Sequence, residues 1–413
     1  MARATWGLKP SILKLIYLRA TERIILYAAS VWYHNTVKIN ENLKSIRRIS
    51  LINITKTYST TSTKALQILA GVKPIHLKIL EDTCIKRLKW NWRLNDFDSE
   101  VPQILLTAHM DDTPARIHPS KLISVPCDRS LPTNSSLEIF TDGSRMEVAN
   151  SATDTTEYRT DFGIVTKMYG SLIKEATSTR ISNNTSVYMA ELVAINNAFL
   201  CLFKKEYPDA TIYTDSLSSL QALQNPVSNS KIFENTKQLW RSNILCNWVK
   251  AHIGTQGNEE ADRAAKQATD LCQITLEFPC SIAQIKTQVK LYSMKRWGLE
   301  WRSSEKGRQT FKFLKIPKLN RLQANFYLNQ FLTGHGVFGE HQYKLFHKTP
   351  ECNYCGKYQS IDHLLMNCSQ FQTIRGNNVN NIGQHQCYAS LTCRDIIKKI
   401  IKQTLEDVLG DGL

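Results

Sequence analysis

The sequence predicts an α/β fold in which a mixed sheet is flanked by helices and lies between a helical N-terminal block and a helical C-terminal block. Short apolar runs alternate with helix-period segments in the centre of the chain, and proline-rich stretches separate this centre from its flanks. The 413 residues carry 52 Lys+Arg against 36 Asp+Glu, a net charge of +16. Residues 131–272 hold 13 basic and 16 acidic side chains, so the basic surplus lies in the flanks. This charge predicts an anionic partner, with nucleic acid first and an acidic membrane surface second.

The N-terminal block, residues 1–134, has the pattern of basic helices followed by a proline-rich linker. An apolar run between residues 8 and 33 is interrupted by four basic side chains, which argues against a membrane span and a signal peptide. Helical spacing predicts that Ile12, Leu15, Ile16, Ile25 and Ala28 face a core.

The central block, residues 135–272, has the clearest order of elements. The predicted elements are strands over Leu137–Asp142, Phe162–Tyr169 and Ser171–Arg180, a helix over Val187–Lys205, a strand over Thr211–Asp215, a helix capped by Ser216, a strand over Ile244–Lys250, and a helix capped by Asn258 and running from Glu259 to about Asp270. The polar stretch from Arg145 to Thr160 is expected to protrude as a loop.

Four carboxylates of this block are expected to meet. Asp142 and Asp215 each end a predicted strand and can emerge at one rim of the sheet. Glu191 and Asp262 lie in the first turns of predicted helices and can point back to that rim. Four carboxylates would repel one another without cations, and oxygen ligands at this density favour magnesium or manganese. Singly, each acid is more readily an ordinary turn or surface residue, but the combination predicts a two-metal centre for displacement at phosphorus.

The C-terminal block contains a possible zinc site. The pattern Cys352-x2-Cys355-x7-His363-x4-Cys368 supplies three thiolates and one imidazole at spacings that suit tetrahedral zinc. The alternative is a set of free thiols and a surface histidine. Eleven cysteines without a secretory segment indicate a reducing, intracellular location, and secretion is not expected. The block is divided into a basic helical segment, the zinc motif and a helical tail, over residues 273–345, 346–372 and 373–413.

A basic stretch from Lys286 to Arg321 leaves two interpretations open. Its aromatic residues Tyr292, Trp297, Trp301 and Phe311 can border a cationic face that binds phosphate backbone, or can belong to a core.

Four strings of the central block resemble the signatures of the cellular-type (type I) ribonuclease H family, in the family's order. They are Phe140-Thr141-Asp142-Gly143-Ser144, Met189 to Ile195, Ile212 to Ser216 and His252 to Asp262. The resemblance implies a ribonuclease H-like sheet and cleavage of the RNA strand of RNA–DNA hybrids with two magnesium ions. It also implies that Asp142, Glu191, Asp215 and Asp262 are the metal ligands, and His252 resembles the family's mobile histidine, which assists proton transfer or product release.

One departure from the family pattern concerns basic residues. Some members carry a lysine-rich protrusion where this chain, between residues 225 and 241, has only Lys231, Lys237 and Arg241. Affinity for the substrate is therefore expected to depend on the flanking blocks.

Both flanks resemble the polyprotein of arthropod non-LTR retrotransposons downstream of its polymerase core, and we expect no polymerase core in this chain. The resembling segments are Ile24 to Trp32, Tyr58 to Pro74 and Leu332 to Phe338. The cysteine motif is similar to the CCHC knuckles of retroelement proteins, with a longer middle loop, which implies a zinc-dependent contact with nucleic acid.

The sequence is compatible with three functions. The first is a metal-dependent endonuclease for RNA in hybrids, with nucleic acid as its partner and no membrane. The second is a silent relic that only binds nucleic acid through basic arms and the knuckle. The third, a DNA-cutting resolvase or transposase of the same fold, is disfavoured by the string from Gly254 to Asp262.

Overall fold

The computed structural model describes residues 7–89, 117–129, 135–150, 155–168, 173–183, 185–204, 207–227, 230–271, 273–277, 282–376, 388 and 390–409. The N-terminal block is helical. Its helices are α1 (Pro10–Ile16), α2 (Glu22–Leu26), α3 (Ala29–Trp32), α4 (Val37–Thr55), α5 (Thr63–Ala70) and α6 (Ile75–Lys89), with a π-helical turn, Tyr17–Thr21, between α1 and α2.

The predicted core face is confirmed at Ile25, which is buried, and is wrong for the first helix. Ile12, Leu15 and Ile16 are 42%, 55% and 48% exposed. The face that packs runs instead through Leu13 and Tyr17, which contact a small core around α4 and α5. The buried face is shifted by one sequence position from the predicted one. Packing against the neighbouring helices determines which of the two faces is buried.

The central block forms one six-stranded sheet in the order β1-β6-β5-β2-β3-β4. The strands are β1 (Cys127–Asp128), β2 (Leu137–Asn150), β3 (Thr155–Met168), β4 (Ile173–Ile181), β5 (Ala210–Thr214) and β6 (Ile244–Trp248). The intervening helices are α7 (Val187–Lys204), α8 (Leu217–Gln224), α9 (Lys231–Leu239) and α10 (Gln256–Ala268). β2, β3 and β4 pair antiparallel, whereas β2, β5, β6 and β1 pair parallel. The predicted mixed sheet flanked by helices is confirmed.

Two local predictions in this region are wrong. The stretch from Arg145 to Thr160 is not simply a protruding loop, because β2 and β3 continue their pairing out to Asn150↔Thr155. This pairing satisfies the backbone N–H and C=O groups of the polar segment. β1 lies in the stretch expected to be a linker, where its parallel pairing with β6 adds an edge strand to the sheet.

Helix α7 is the most apolar helix of the sheet region. By length and composition it is the one helix among the described residues that could span a membrane, and 56% of that stretch is buried inside the protein. Its buried side chains, among them Leu192, Ile195 and Phe199, belong to the core beneath the sheet.

The C-terminal block is also helical, with α11 (Ile282–Arg302), α12 (Arg308–Phe313), α13 (Phe326–Thr333), α14 (Gly339–Phe346), α15 (Gln372–Arg375) and α16 (Leu391–Leu409). Trp297 and Trp301 are 2% and 1% exposed, and the Trp301 indole donates to the Leu314 carbonyl at 2.8 Å. Of the two interpretations of this basic stretch, the core interpretation therefore holds for its tryptophans.

The chain divides into two compact units. The helical unit comprises residues 1–87 and 289–413, and the sheet unit comprises residues 88–288. The core of the helical unit mixes both blocks, with Leu69 beside Trp301 and Ile400 in one cluster. Blocks that are separate segments in the sequence thus share one hydrophobic core.

Candidate active site

Strand register brings two of the candidate carboxylates together. β2 and β5 run parallel, and their last paired residues are Thr141 and Thr214. Asp142 and Asp215 directly follow these two residues, so they leave neighbouring strands at the same level. Asp142 does not end its strand as predicted, because β2 continues past it and pairs Asp142 with Gly163 of β3.

Glu191 reaches the same place from α7. Oxygens of Asp142, Glu191 and Asp215 lie within 4.8 Å of one another. A Cβ at Gly143 would lie 2.5 Å from the backbone nitrogen of Glu191, so this close approach of helix to strand requires glycine. The glycine of the Thr-Asp-Gly-Ser string thus allows α7 to deliver its carboxylate.

Burial and mutual repulsion raise the pKa values of the acids in this cluster. Burial, with repulsion from Asp215 and Asp262, raises the pKa of Asp142 to about 7. Burial and repulsion from Asp142 and Asp215 raise the pKa of Glu191 to about 9. Burial also raises the pKa of Asp215. Glu191 Oε2 is buried and has no hydrogen-bond partner among the described residues, which leaves an acceptor free for a cation.

Asp262 stands at the margin of the cluster rather than inside it. It is outside the group whose oxygens meet within 4.8 Å, and its Oδ2 accepts from Lys266 at 2.6 Å. Its charge nevertheless raises the pKa of Asp142, Glu191 and Asp215, which places it within electrostatic reach.

His252 and Asn258 flank Asp215. His252 is exposed on the turn after β6, at φ 56°, and its charge lowers the pKa of Asp215. Asn258 does not cap its helix, because α10 begins at Gln256 after the N-cap Thr255. The Asn258 side chain is 2% exposed and donates to Asp215 Oδ2 at 3.5 Å. Because the sequence pattern predicts a helix cap at Asn258, this contact with Asp215 was missed from the sequence.

The cysteine motif also forms a cluster, in the helical unit. Ligand atoms of Cys352, Cys355, His363 and Cys368 lie within 4.8 Å of one another. The two buried thiols, Cys352 and Cys368, are 3.8 Å apart, and Cys355 Sγ is 3.2 Å from His363 Nε2. The amide of Gly356 donates to the Cys352 carbonyl at 2.8 Å, which closes the turn between the first two thiols. Three thiols and one imidazole are a donor set that suits zinc.

Part of the chain is similar to known proteins. Residues 134–270 match the family model described as RNase H. The chain is 28% identical over 199 residues to the retrovirus-related Pol polyprotein from the type-1 retrotransposable element R1 of Popillia japonica, covering 46% of this chain and 78% of that protein. It is 30% identical over 94 residues to the R1 polyprotein of Nasonia vitripennis, covering 22% of this chain and 27% of that protein.

Among solved structures, the solution structure of the PFV RNase H domain is 20% identical at a TM-score of 0.28, covering 33% of this chain and 95% of that chain. The family match and the R1 relatives confirm the predicted resemblance to ribonuclease H and to a retrotransposon polyprotein.

Proposed function

Because residues 134–270 are a ribonuclease H domain in a chain related to R1 retrotransposon polyproteins, we propose that this protein cuts the RNA strand of RNA–DNA hybrids as an endonuclease that uses two divalent metal ions. One observation carries the proposal: three acidic side chains from three different elements bring their oxygens within 4.8 Å. Acids are seldom buried together unless a cation or a shared proton compensates their charge.

The donor set fits a hard divalent cation of the magnesium class. It consists of carboxylate oxygens only and includes the unpartnered Oε2 of Glu191, and the pKa values of Asp142 and Glu191 are raised by burial and by repulsion between the acids, which a cation would relieve. Asp142, Glu191 and Asp215 would hold one ion, and Asp262, after release from Lys266, would help to hold the second. When bound, two such ions activate a water and stabilise the leaving oxygen of an in-line displacement.

Other side chains have supporting roles in this proposal. Asn258 holds the orientation of Asp215 through its hydrogen bond. The exposed imidazole of His252 is free to carry a proton to the departing oxygen. Backbone groups around Gly143 and the start of α7 border the cluster and can contact 2′-hydroxyls, which are the groups that distinguish RNA from DNA.

We further propose that the Cys352, Cys355, His363 and Cys368 cluster binds one zinc ion with a structural role. Two of the four ligands, Cys352 and Cys368, lie in the main core of the helical unit beside Leu364 and Phe371. A closed set of four protein ligands is typical of structural zinc rather than catalytic zinc.

The test is cleavage of a labelled RNA–DNA hybrid by the full chain with magnesium, with manganese and with EDTA. Asp215→Asn should lose more than about 100-fold of the cleavage rate, since loss of a metal ligand exceeds the effect of losing an outer contact. Glu259→Gln is the matched control, because Glu259 is an exposed acid of the same helix as Asp262.

Three outcomes would contradict the proposal. Cleavage that persists in EDTA would exclude a metal-dependent reaction. Hybrid binding without cleavage under either metal would favour the silent relic. Preferential cutting of duplex DNA would favour a DNA nuclease of the same fold.

A further inference from the structure

The helical unit contains an open cavity of about 1060 Å³ that takes no part in the site described above. Its walls are α4, the start of α5, the end of α11 and the loop that leads into α12. We propose that this cavity binds the phosphate groups of a single nucleic-acid strand, as a second nucleic-acid site of the chain. The inference rests on the proposed function in one respect: the bound strand is taken to be part of the nuclease substrate.

Positive charge is fixed in one wall of the cavity. The Arg48 guanidinium donates to Thr63 Oγ1 at 2.8 Å, to the Thr61 carbonyl at 2.6 Å, and to the Ser59 carbonyl. These neutral acceptors hold the guanidinium in position without cancelling its charge. A preorganised cation of this kind can receive a phosphate without first losing side-chain freedom.

The rim adds further cations, the exposed side chains of Lys64, Lys306 and Arg308. Two of the cavity's acids are already engaged, since Glu41 pairs with Lys44 at 2.5 Å and Glu300 pairs with His76 at 2.8 Å. The remaining acid of the lining, Glu305, is exposed to solvent. The cavity therefore has a positive balance.

Two buried hydroxyls in the lining lack partners. Thr61 and Thr310 are 1% and 0% exposed, and neither Oγ1 has a hydrogen-bond partner among the described residues. A buried unpartnered hydroxyl is destabilising, and such groups are rare unless a ligand or water completes them. Both hydroxyls can donate to phosphate oxygens.

The N-terminus of α5 also borders the cavity. α5 begins at Thr63, and Ser62 caps only the Ala65 amide, at 3.3 Å. First-turn amides of a helix carry partial positive charge and attract anions. Gly307 lies at φ 78°, and a Cβ there would come within 3.0 Å of Ser62 Oγ, so this glycine lets the loop with Lys306 approach the helix start.

The form of the cavity favours a strand over a free phosphate. Its volume is that of a large ligand site, and its cations are distributed over several elements rather than converging on one point. Trp297 and Trp301 are in the lining but are buried in the core, so bases have little aromatic surface to stack on. Contacts would thus be to the backbone and independent of sequence.

The sheet unit has few cations where the sequence departs from the family pattern. Lys237 is fully buried and donates to the Asn225 carbonyl at 2.6 Å. Arg241 is exposed and lies over the Phe203 ring at 4.9 Å, and Lys231 is also exposed. Two exposed cations do not form a lysine-rich surface, so the helical unit is expected to contribute to substrate binding.

The test measures binding of a fluorescein-labelled RNA of about 20 nucleotides to the full chain by anisotropy, in buffer without magnesium so that no cleavage occurs and any bound zinc is retained. Lys64→Glu with Lys306→Glu removes two cations of the rim. Single-strand contacts contribute a salt slope of about 0.7 each, so affinity at 0.1 M salt should fall by about 25-fold or more and the slope by about 1.4. Lys38→Glu with Lys295→Glu is the charge-matched control, because both lysines are exposed in the same unit outside the cavity.

Equal loss in the two double variants would overturn the inference, since a general charge effect would then explain binding. Thr310→Val supplies an independent check: it should weaken RNA binding and raise Tm, because the unpartnered hydroxyl is gone. A lower Tm with unchanged binding would also overturn the inference. So would displacement of the RNA by uridine monophosphate or inorganic phosphate at RNA-like concentrations, which would indicate a small-ligand pocket.

Hybrid cleavage by the same proteins separates this inference from the proposed function. Binding that depends on the cavity, in a protein that cuts no hybrid, would overturn the nuclease proposal and leave the cavity site standing. If the protein cuts hybrid but neither cavity variant changes its RNA binding, the nuclease proposal stands and the cavity inference is overturned.

Discussion

Replacement of Asp142 by asparagine should stabilise the metal-free protein while it abolishes hybrid cleavage. Asp142 is 7% exposed, and burial together with repulsion from Asp215 and Asp262 raises its pKa to about 7. In an unfolded chain the pKa of aspartate is about 3.9. The folded protein therefore holds this proton more tightly, and the free energy of unfolding decreases as pH rises from about 4 to about 7.

The expected size follows from that difference. One pKa unit corresponds to about 1.36 kcal/mol, so three units set an upper value of about 4 kcal/mol at pH 8. Glu191 and Asp215 share the repulsion and would relax when one charge is removed. We therefore expect Asp142→Asn to gain about 2–4 kcal/mol at pH 8 and close to nothing at pH 4.

The assay is equilibrium urea denaturation in buffer without magnesium at pH 4, 6 and 8, with Glu259→Gln as a control that should change little. Magnesium should raise the Tm of the unaltered protein, because a ligand of the folded state stabilises it, and this shift should shrink in the variant. An Asp142→Asn protein that is no more stable than the parent at pH 8, or whose gain is the same at every pH, would refute the argument from crowded carboxylates.

Three further changes should give distinct results. Asp161 is fully buried and burial raises its pKa to about 6, so Asp161→Asn should add about 1–2 kcal/mol to the free energy of unfolding at pH 8 but not at pH 4, in the same urea assay. Gly143→Ala would force a Cβ against the backbone of Glu191, and the displaced carboxylate should lower hybrid cleavage about 100-fold while zinc content stays constant. Cys368→Ala should lower the zinc content measured by atomic emission from about one per chain and lower Tm, whereas Cys393→Ala, at a buried thiol outside the cluster, should keep the metal.

Short spacings along the chain predict several parts of this protein. Asp142 and Asp215 are identifiable as candidates because neighbouring parallel strands deliver equivalent positions to one edge of a sheet, although β2 continues past Asp142. The four ligands of the cysteine motif lie within 17 residues of chain, so their spacing alone predicts that they can meet. The mixed sheet is predictable because each strand and helix has its own local pattern and the order of these patterns favours this fold.

Which distant segments share a core is visible only in the folded chain. Leu69 and Ile400 lie in one cluster, β1 joins the sheet from a proline-rich stretch, and the cavity beside Arg48 is closed by a loop more than 200 residues further along the chain. Periodicity reports which side of an element is apolar, but it does not report what will cover that side. Such long-range pairings depend on the packing of the whole unit, which no local pattern encodes. The contact of Asn258 with Asp215 belongs to this second class, and so do the unpartnered hydroxyls of Thr61 and Thr310.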